Sequence, residues 1–436
     1  MSVEKVRTCE ECESDVRSYC RFFPFELETA ENAIVTLSSG EKYIDFLSGC
    51  GSLNYGHNNN TMKEALLRYI SMNGIAHTLD FYSTSKKSFI ETFKKKILSP
   101  RKLDYKIQFT GPTGANAIEA ALKLARKVTG RTNVIAFTNG FHGVSLGALS
   151  LTGNRANRAV AGLALHGVTR APYDGYFGPQ FDTVQWLDQM LTDPSAGIEE
   201  PAAFIVETVQ GEGGLNVASI RWMRALRALA SKHGALLIID DVQAGCGRTG
   251  TFFSFESAQI VPDIVVLAKS LSGFGLPFAA VLLAPQHDVW QPGEHNGTFR
   301  GNNHAFVTAQ TAIDNFWSDD SFTQSIAKNI KIMENALAKL QSATGWPSKG
   351  RGMMQGLCCP TYEIAASIRA RCVQTGLILE LCGPCDETIK LMPPLTIEES
   401  VLHDGLERFS EAVLSVGNLA AVSAPVRSKE CTTTLE

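Results

Sequence analysis

The sequence predicts an α/β protein with a mixed, mostly parallel sheet in a large central part and a smaller α+β part built from both chain ends. Three observations carry this. The middle of the chain alternates short apolar runs with helical patterns, as strands joined by crossover helices do. The two ends instead read as a short hairpin and as long helical stretches. The 436 residues suffice for one large core or for two domains sharing one.

From the N-terminus, residues from about Phe23 to Asn60 alternate apolar and polar positions around a Ser38-Ser39-Gly40 turn. This reads as a small hairpin leading into Gly49-Cys50-Gly51. Buried strands are expected at Lys106–Phe109, Asn133–Phe137, Ala203–Val206, Ala235–Ile239, Asp263–Leu267 and Phe278–Leu283. Helices are expected between them at Ala115–Val128 and Ser219–Lys232. The second has a serine at its N-cap, apolar Met223, Leu226 and Leu229 on one face, and Gly234 past its end. A long helix starts near Phe322, followed by strand-like Gly352–Cys359 and a helix around Tyr362–Thr375. We therefore expect a large domain at 76–321 and a small domain made of 1–75 and 322–416. The polar stretch 417–436 reads as a poorly ordered tail.

Composition bounds the function. A 44% hydrophobic, 19% charged chain of formal net charge −4 gives no electrostatic reason to expect nucleic acid. No 18-residue apolar run is present, and MSVEKVRTCEECES lacks an apolar signal region, so the default expectation is a cytoplasmic protein without a membrane partner. Eleven cysteines, an odd number mostly beside apolar or glycine-rich segments, suit reduced thiols better than a disulfide framework. The pairs Cys9/Cys12 and Cys382/Cys385 each fall short of the four ligands zinc requires, and no metal is expected.

Three segments point to chemistry. Ala235-Leu236-Leu237-Ile238-Ile239-Asp240 reads as a buried strand presenting a carboxylate at its carboxyl end, where open parallel sheets bind ligands. Taken alone, Asp240 reads more simply as a residue that caps or turns the chain. Ile264-Val265-Val266-Leu267-Ala268-Lys269 is a second buried strand, ending in a lysine. An amine against an apolar wall gives up its proton more readily and becomes available for carbonyl chemistry, although such lysines also lie exposed on loops. Thr110-Gly111-Pro112-Thr113-Gly114-Ala115 joins a strand to a helix. Its glycines and the helix N-terminus suit a phosphate, yet an ordinary βα turn has the same form. A carbonyl-reactive lysine, a buried aspartate and a phosphate cradle together describe a pyridoxal-phosphate (PLP) site.

The segment Asp240-Asp241-Val242-Gln243-Ala244-Gly245-Cys246-Gly247-Arg248-Thr249-Gly250 resembles the class III aminotransferase pattern DEVQTGFGRTG. The resemblance runs from about Phe23 to Glu411 and includes Gly56-His57, Gly140-Phe141-His142-Gly143, Glu207-Thr208-Val209-Gln210-Gly211-Glu212-Gly213-Gly214, Gly297-Thr298-Phe299 and Pro393-Pro394-Leu395. It implies PLP fold type I, with Lys269 as the Schiff-base lysine and proton shuttle and Asp240 on the pyridine nitrogen. It also implies Gln243 on the phenolic oxygen, Phe141 on the ring face, and Gly114 and Ala115 on the phosphate. Thr113, His142 and Glu207 would complete the cofactor site, with His142 equally suited to a structural role. Thr298 would reach the phosphate of the neighbouring subunit, which implies a homodimer or a dimer of dimers with shared active sites.

Narrower features, Arg17-Ser18-Tyr19-Cys20-Arg21, Leu53-Asn54-Tyr55-Gly56-His57-Asn58-Asn59 and Gly297-Thr298-Phe299-Arg300-Gly301-Asn302-Asn303, resemble the diaminobutyrate–2-oxoglutarate branch of the ectoine pathway. That branch implies a ping-pong transfer of a terminal amine between glutamate and aspartate 4-semialdehyde. The alternatives are 4-aminobutyrate, ornithine or acetylornithine aminotransferases, a glutamate-1-semialdehyde-type aminomutase, and a non-catalytic regulatory member. Relatives such as ornithine aminotransferase bind a substrate carboxylate with an arginine that a movable glutamate neutralises. Glu212 matches the glutamate, but Lys390 stands at the arginine's place, and a lysine cannot offer the planar two-pronged fork. Lys390 is expected either as a weaker carboxylate anchor, paired with Glu212, or as a solvated lysine at a strand start.

Overall fold

The computed structural model describes residues 4–423. Its centre is a seven-stranded sheet whose strands we label in chain order. They are β1 (Lys106–Phe109), β2 (Asn133–Phe137), β3 (Val168–Ala171), β4 (Pro201–Val206), β5 (Leu236–Asp240), β6 (Ile264–Leu267) and β7 (Ala280–Leu283). They lie in the order β1-β7-β6-β5-β4-β2-β3. Only β7 runs against its neighbours, so the sheet is mixed and mostly parallel, as fold type I requires. The inner strands are apolar and buried throughout because helices cover both faces. Helix α1 (Gly114–Thr129) lies on one of them, burying Ala117, Ile118, Ala121, Leu122, Leu124 and Ala125.

The chain ends meet. Strands Leu27–Glu31, Ile34–Leu37 and Lys42–Asp45 form an antiparallel meander, and Leu377–Ile378 adds to it in parallel, Leu377 opposite Ile44. A second antiparallel sheet orders Ser348–Arg351, Met354–Cys358, Thr388–Leu391 and Glu380–Cys382. Three details differ from the sequence expectations. Residues Glu4–Cys12 are helical. β3 was not foreseen, because its Val-Thr-Arg-Ala sequence on the sheet edge lacks an apolar run. The last helix spans Glu399–Ser423 and passes through Gly417, where the tail was expected to start; the rest of that stretch lies outside the described residues. Among the described residues nine cysteines are free thiols, including Cys9, Cys12 and Cys382, whereas Cys385 is disulfide-bonded, against the expectation of reduced thiols there.

Arg248 ties these parts together. Fully buried, it donates to Asn54 Oδ1 (3.1 and 2.6 Å) and to the carbonyls of Met353 (2.9 Å) and Pro393 (2.6 Å). Asn54 in turn donates to the carbonyl of Cys246 (3.1 Å), and its N–H meets Ser270 Oγ (3.0 Å). A guanidinium can fill such a buried set of acceptors because its donors fan out in a plane, which an ammonium cannot reproduce. Arg248→Lys should therefore cost about 2–4 kcal/mol of stability through unsatisfied buried carbonyls. A drop in the thermal unfolding midpoint is expected; an unchanged midpoint would deny Arg248 this joining role.

Candidate active site at the carboxyl ends of the strands

Parallel strands aim their carboxyl ends at one edge, and the chemistry foreseen in the sequence collects there. Asp240 is the last residue of β5, in register with Val266 of β6, and Lys269 follows two residues after β6 ends. Asp240 is 4% exposed, and His142 Nδ1 lies 2.7 Å from its Oδ2. Its other oxygen accepts from the Val242 N–H at 3.2 Å, so Asp240 also turns the chain. His142 is held by its own N–H on Thr152 Oγ1 (3.0 Å). Burial opposes a charged imidazole, but the hydrogen bond and charge of Asp240, with Glu207 behind them, hold the His142 pKa above its ordinary value.

Glu207 follows β4 and accepts from the backbone N–H groups of Phe141 (2.8 Å) and Gly211 (3.3 Å). Burial, with Asp240 adding to it against His142, pushes its pKa up to about 7. Phe141 is half-buried beside this group. At the head of α1, Thr113 caps the helix by accepting from Asn116 N–H (3.2 Å), leaving the following N–H groups of Gly114 and Ala115 at a half-buried N-terminus. Gly143 has φ of +119°, and a Cβ there would come within 2.8 Å of the Ala115 methyl, so only glycine lets the His142 loop close on this cradle. The backbone of Gly297 lies against Gly111, while Thr298 is exposed and stays outside the buried cluster of its own chain.

Lys269 is half-buried and has no salt-bridge partner among the described residues. Its φ is +48°, a left-handed conformation that lysine adopts at a cost of about 1–3 kcal/mol, and such outliers gather at functional sites. Ser270 beside it is pinned by Oγ donating to the Gly51 carbonyl at 2.7 Å. Gln243 donates to the Cys50 carbonyl (3.0 Å) and to Glu212 Oε1 (3.2 Å).

The Glu212–Lys390 contact forms, at 2.8 Å. Lys390 is not the solvated lysine of the alternative expectation: it lies within Thr388–Leu391 with a side chain 0% exposed. Burial opposes its charge, yet Glu212 and Glu380 together keep its pKa well above the usual lysine value. Glu212 is pressed the other way. Burial would raise it, but Lys390 first and then Lys269 bring it down to about 2. Glu380, whose Oε1 lies 2.8 Å from Lys390 Nζ, was missed in the sequence, as were its neighbours Tyr19 and Cys50. A signal existed for Glu380: a lone carboxylate inside the apolar run Leu377-Ile378-Leu379-Glu380-Leu381 must find a cation when buried. Among the described residues no group of three His, Cys, Asp or Glu forms a metal cluster.

Comparison with known proteins agrees with this geometry. The family model described as aminotransferase class III matches residues 17–413. The chain is 54% identical over 407 residues to a diaminobutyrate–2-oxoglutarate transaminase of Vibrio cholerae, covering 92% of this chain and 98% of that protein. It is 50% identical to the protein of the same name from Bordetella parapertussis, covering 92% and 93%. In fold it is similar to the ornithine aminotransferase of Toxoplasma gondii (TM-score 0.82, 23% identity, 95% of each chain). It is also similar to an S-selective transaminase of Bacillus megaterium (TM-score 0.85, 19% identity, 96% and 99%). The site at the strand ends, the mixed sheet and these matches agree: the chain belongs to the class III aminotransferase family.

Proposed function

We propose that this chain is a PLP-dependent transaminase that moves the terminal amino group between L-2,4-diaminobutyrate and 2-oxoglutarate by a ping-pong mechanism, with aspartate 4-semialdehyde and glutamate as the other pair. The observation that carries the chemistry is the convergence of buried Asp240 and half-buried Lys269, which has no salt-bridge partner among the described residues, at the ends of adjacent parallel strands. The substrate is supported by the names of relatives about half identical over nearly the whole chain.

The residues fit the cofactor. The N-terminus of α1 offers N–H groups of Gly114 and Ala115 for a phosphate. A Cβ on Gly211 would lie 1.6 Å from Gln243 Oε1, so the glycine leaves Gln243 room to turn its amide toward a phenolic oxygen. PLP held here supplies the electron sink that stabilises charge at the carbon bearing the amine. The protein's share is to place and protonate. Asp240 would keep a proton on the pyridine nitrogen, and His142, donating from Nδ1, fixes that carboxylate in the dry interior. Lys269 Nζ would take the proton from the substrate carbon and return it to the cofactor side. Thr113 and Glu207 hold the cradle and the Phe141 loop, from which Phe141 would cover the ring face. Lys390 would receive the carboxylate of the second substrate, with Glu212, its partner in the free site, giving way to it.

Two further parts belong to this reading. The division into a large cofactor-binding domain, 76–321, and a small domain from both ends is retained, and so is a cytoplasmic location; among the described residues no helix is long and apolar enough to cross a membrane. A homodimer is supported by an apolar patch beside Thr298, where Phe81, Tyr82 and Phe299 are exposed and Thr78 N–H bonds the Gly301 carbonyl. There Thr298 would serve the partner's phosphate.

Adding L-2,4-diaminobutyrate to the purified holoenzyme should bleach absorbance near ~420 nm and raise it near ~330 nm, and 2-oxoglutarate should reverse this. A response to ornithine or 4-aminobutyrate alone would keep the chemistry and overturn the substrate. Lys269→Ala should abolish the change, with turnover falling by on the order of 10³-fold or more. In Asp240→Asn, burial of His142 is no longer outweighed. Its pKa should then fall from above to below about 6.5 in a histidine NMR titration. An unmoved titration would show that Asp240 does not hold that ring.

A further inference from the structure

Lys390 carries one ammonium between two carboxylates, Glu212 and Glu380, each 2.8 Å away. The two acids are not equivalent. Glu212 sits between Gly211 and Gly213, and its side chain is 32% exposed; Glu380 lies in strand Glu380–Cys382 with its side chain 7% exposed. Glu212 can therefore be displaced toward solvent, while Glu380 is fixed by its strand. The groups facing Glu380 come from its own strand and five other segments. Tyr19 Oη lies 3.4 Å and Cys50 Sγ 3.7 Å from its Oε2, Lys390 holds Oε1, and Glu212, Lys269 and Cys382 act on it through space.

With both acids ionised, the three-residue cluster carries a net charge of minus one. A substrate carboxylate that displaces Glu212 from Lys390 does not remove Glu212, which stays on its loop. Three carboxylates then share one ammonium at a nearly dry site, an arrangement that repels unless one of them takes a proton. A substrate whose reacting amine sits on a terminal carbon brings no carboxylate to this point and leaves the cluster as it is.

We propose that Glu380 is a specificity-determining residue. It stays on Lys390 when Glu212 is displaced, and a substrate carboxylate binds at Lys390 together with one proton, taken from solvent onto Glu380 Oε2 beside Tyr19 and Cys50. One O–H bond forms and nothing else changes covalently. Glu380 thus lets one site accept both a carboxylate-bearing and a terminal-amine substrate. This rests on the transaminase reading given above. Glu380 is suited to the part because burial first, and then the repulsion of Glu212, outweigh Lys390 and hold its pKa above the ordinary carboxylate value.

The test compares KM for 2-oxoglutarate across pH in the unaltered holoenzyme and in Glu380→Gln, whose neutral amide mimics the protonated acid. In the unaltered enzyme KM should rise as pH rises, up to about tenfold per unit above the Glu380 pKa. In Glu380→Gln it should be lower at alkaline pH, by roughly tenfold, and flat, with KM for diaminobutyrate little changed. An unchanged pH profile, or an equal loss with both substrates, would overturn the inference. Should the variant fail to fold, calorimetry on the unaltered enzyme decides. 2-Oxoglutarate, which cannot react with the aldehyde form, is titrated in two buffers of different ionisation enthalpy. Uptake of about one proton per site supports the inference and none overturns it. If another terminal amine replaces diaminobutyrate as substrate while that proton is still taken up, the substrate reading fails and the role of Glu380 stands.

Discussion

A charge taken out of water must meet its opposite within hydrogen-bonding distance, and this site is arranged around that requirement. Asp240 can end an interior strand because His142 meets it, and His142 can stand there because Thr152 fixes its backbone. Lys390 can sit in the middle of a strand with no exposure because Glu212 and Glu380 flank it. The His142–Asp240 and Lys390–Glu212 pairs each join segments far apart in the chain, and the second ties the loop after β4 to the C-terminal strands. Lys269 is the exception: half-buried, in a left-handed conformation and without a salt-bridge partner among the described residues, it is held by its neighbours.

Much of this was legible in the linear sequence. β5 and β6 are short apolar runs that end in an ionisable residue, and buried parallel strands admit little else. The expected Ala235–Ile239 strand moves by one residue to Leu236–Asp240, because the ladder to β6 continues through Asp240 opposite Val266. The cap at Thr113 and the helix after it follow from local rules that need no tertiary information.

What stayed hidden depends on pairing at a distance. Tyr19, Cys50 and Glu380 gather around Lys390 from segments up to more than three hundred residues apart, and no spacing in the sequence records that they touch; only the Glu212–Lys390 pair was foreseen, through the resemblance. Lys390 alone is ambiguous, since a lysine at a strand position is ordinarily solvated; only the two acids explain its burial. The edge strand β3 escaped because a half-buried edge tolerates Thr and Arg. At Gly417 the glycine misled: it is absent from the left-handed region, so the helix simply continues through it.

The joint around Arg248 has a consequence for synthesis of the chain. Its acceptors are Asn54, Met353 and Pro393, and Asn54 also binds Ser270 beside Lys269. A nascent chain holds Asn54 and Lys269 long before Pro393 is made, so the turn beside Lys269 cannot be fully locked until Pro393 is available. The central sheet can begin to assemble earlier, but the joint itself waits for Pro393. A product truncated before Pro393 would leave the buried Arg248 without one of its acceptors, a cost that the remaining contacts cannot make good.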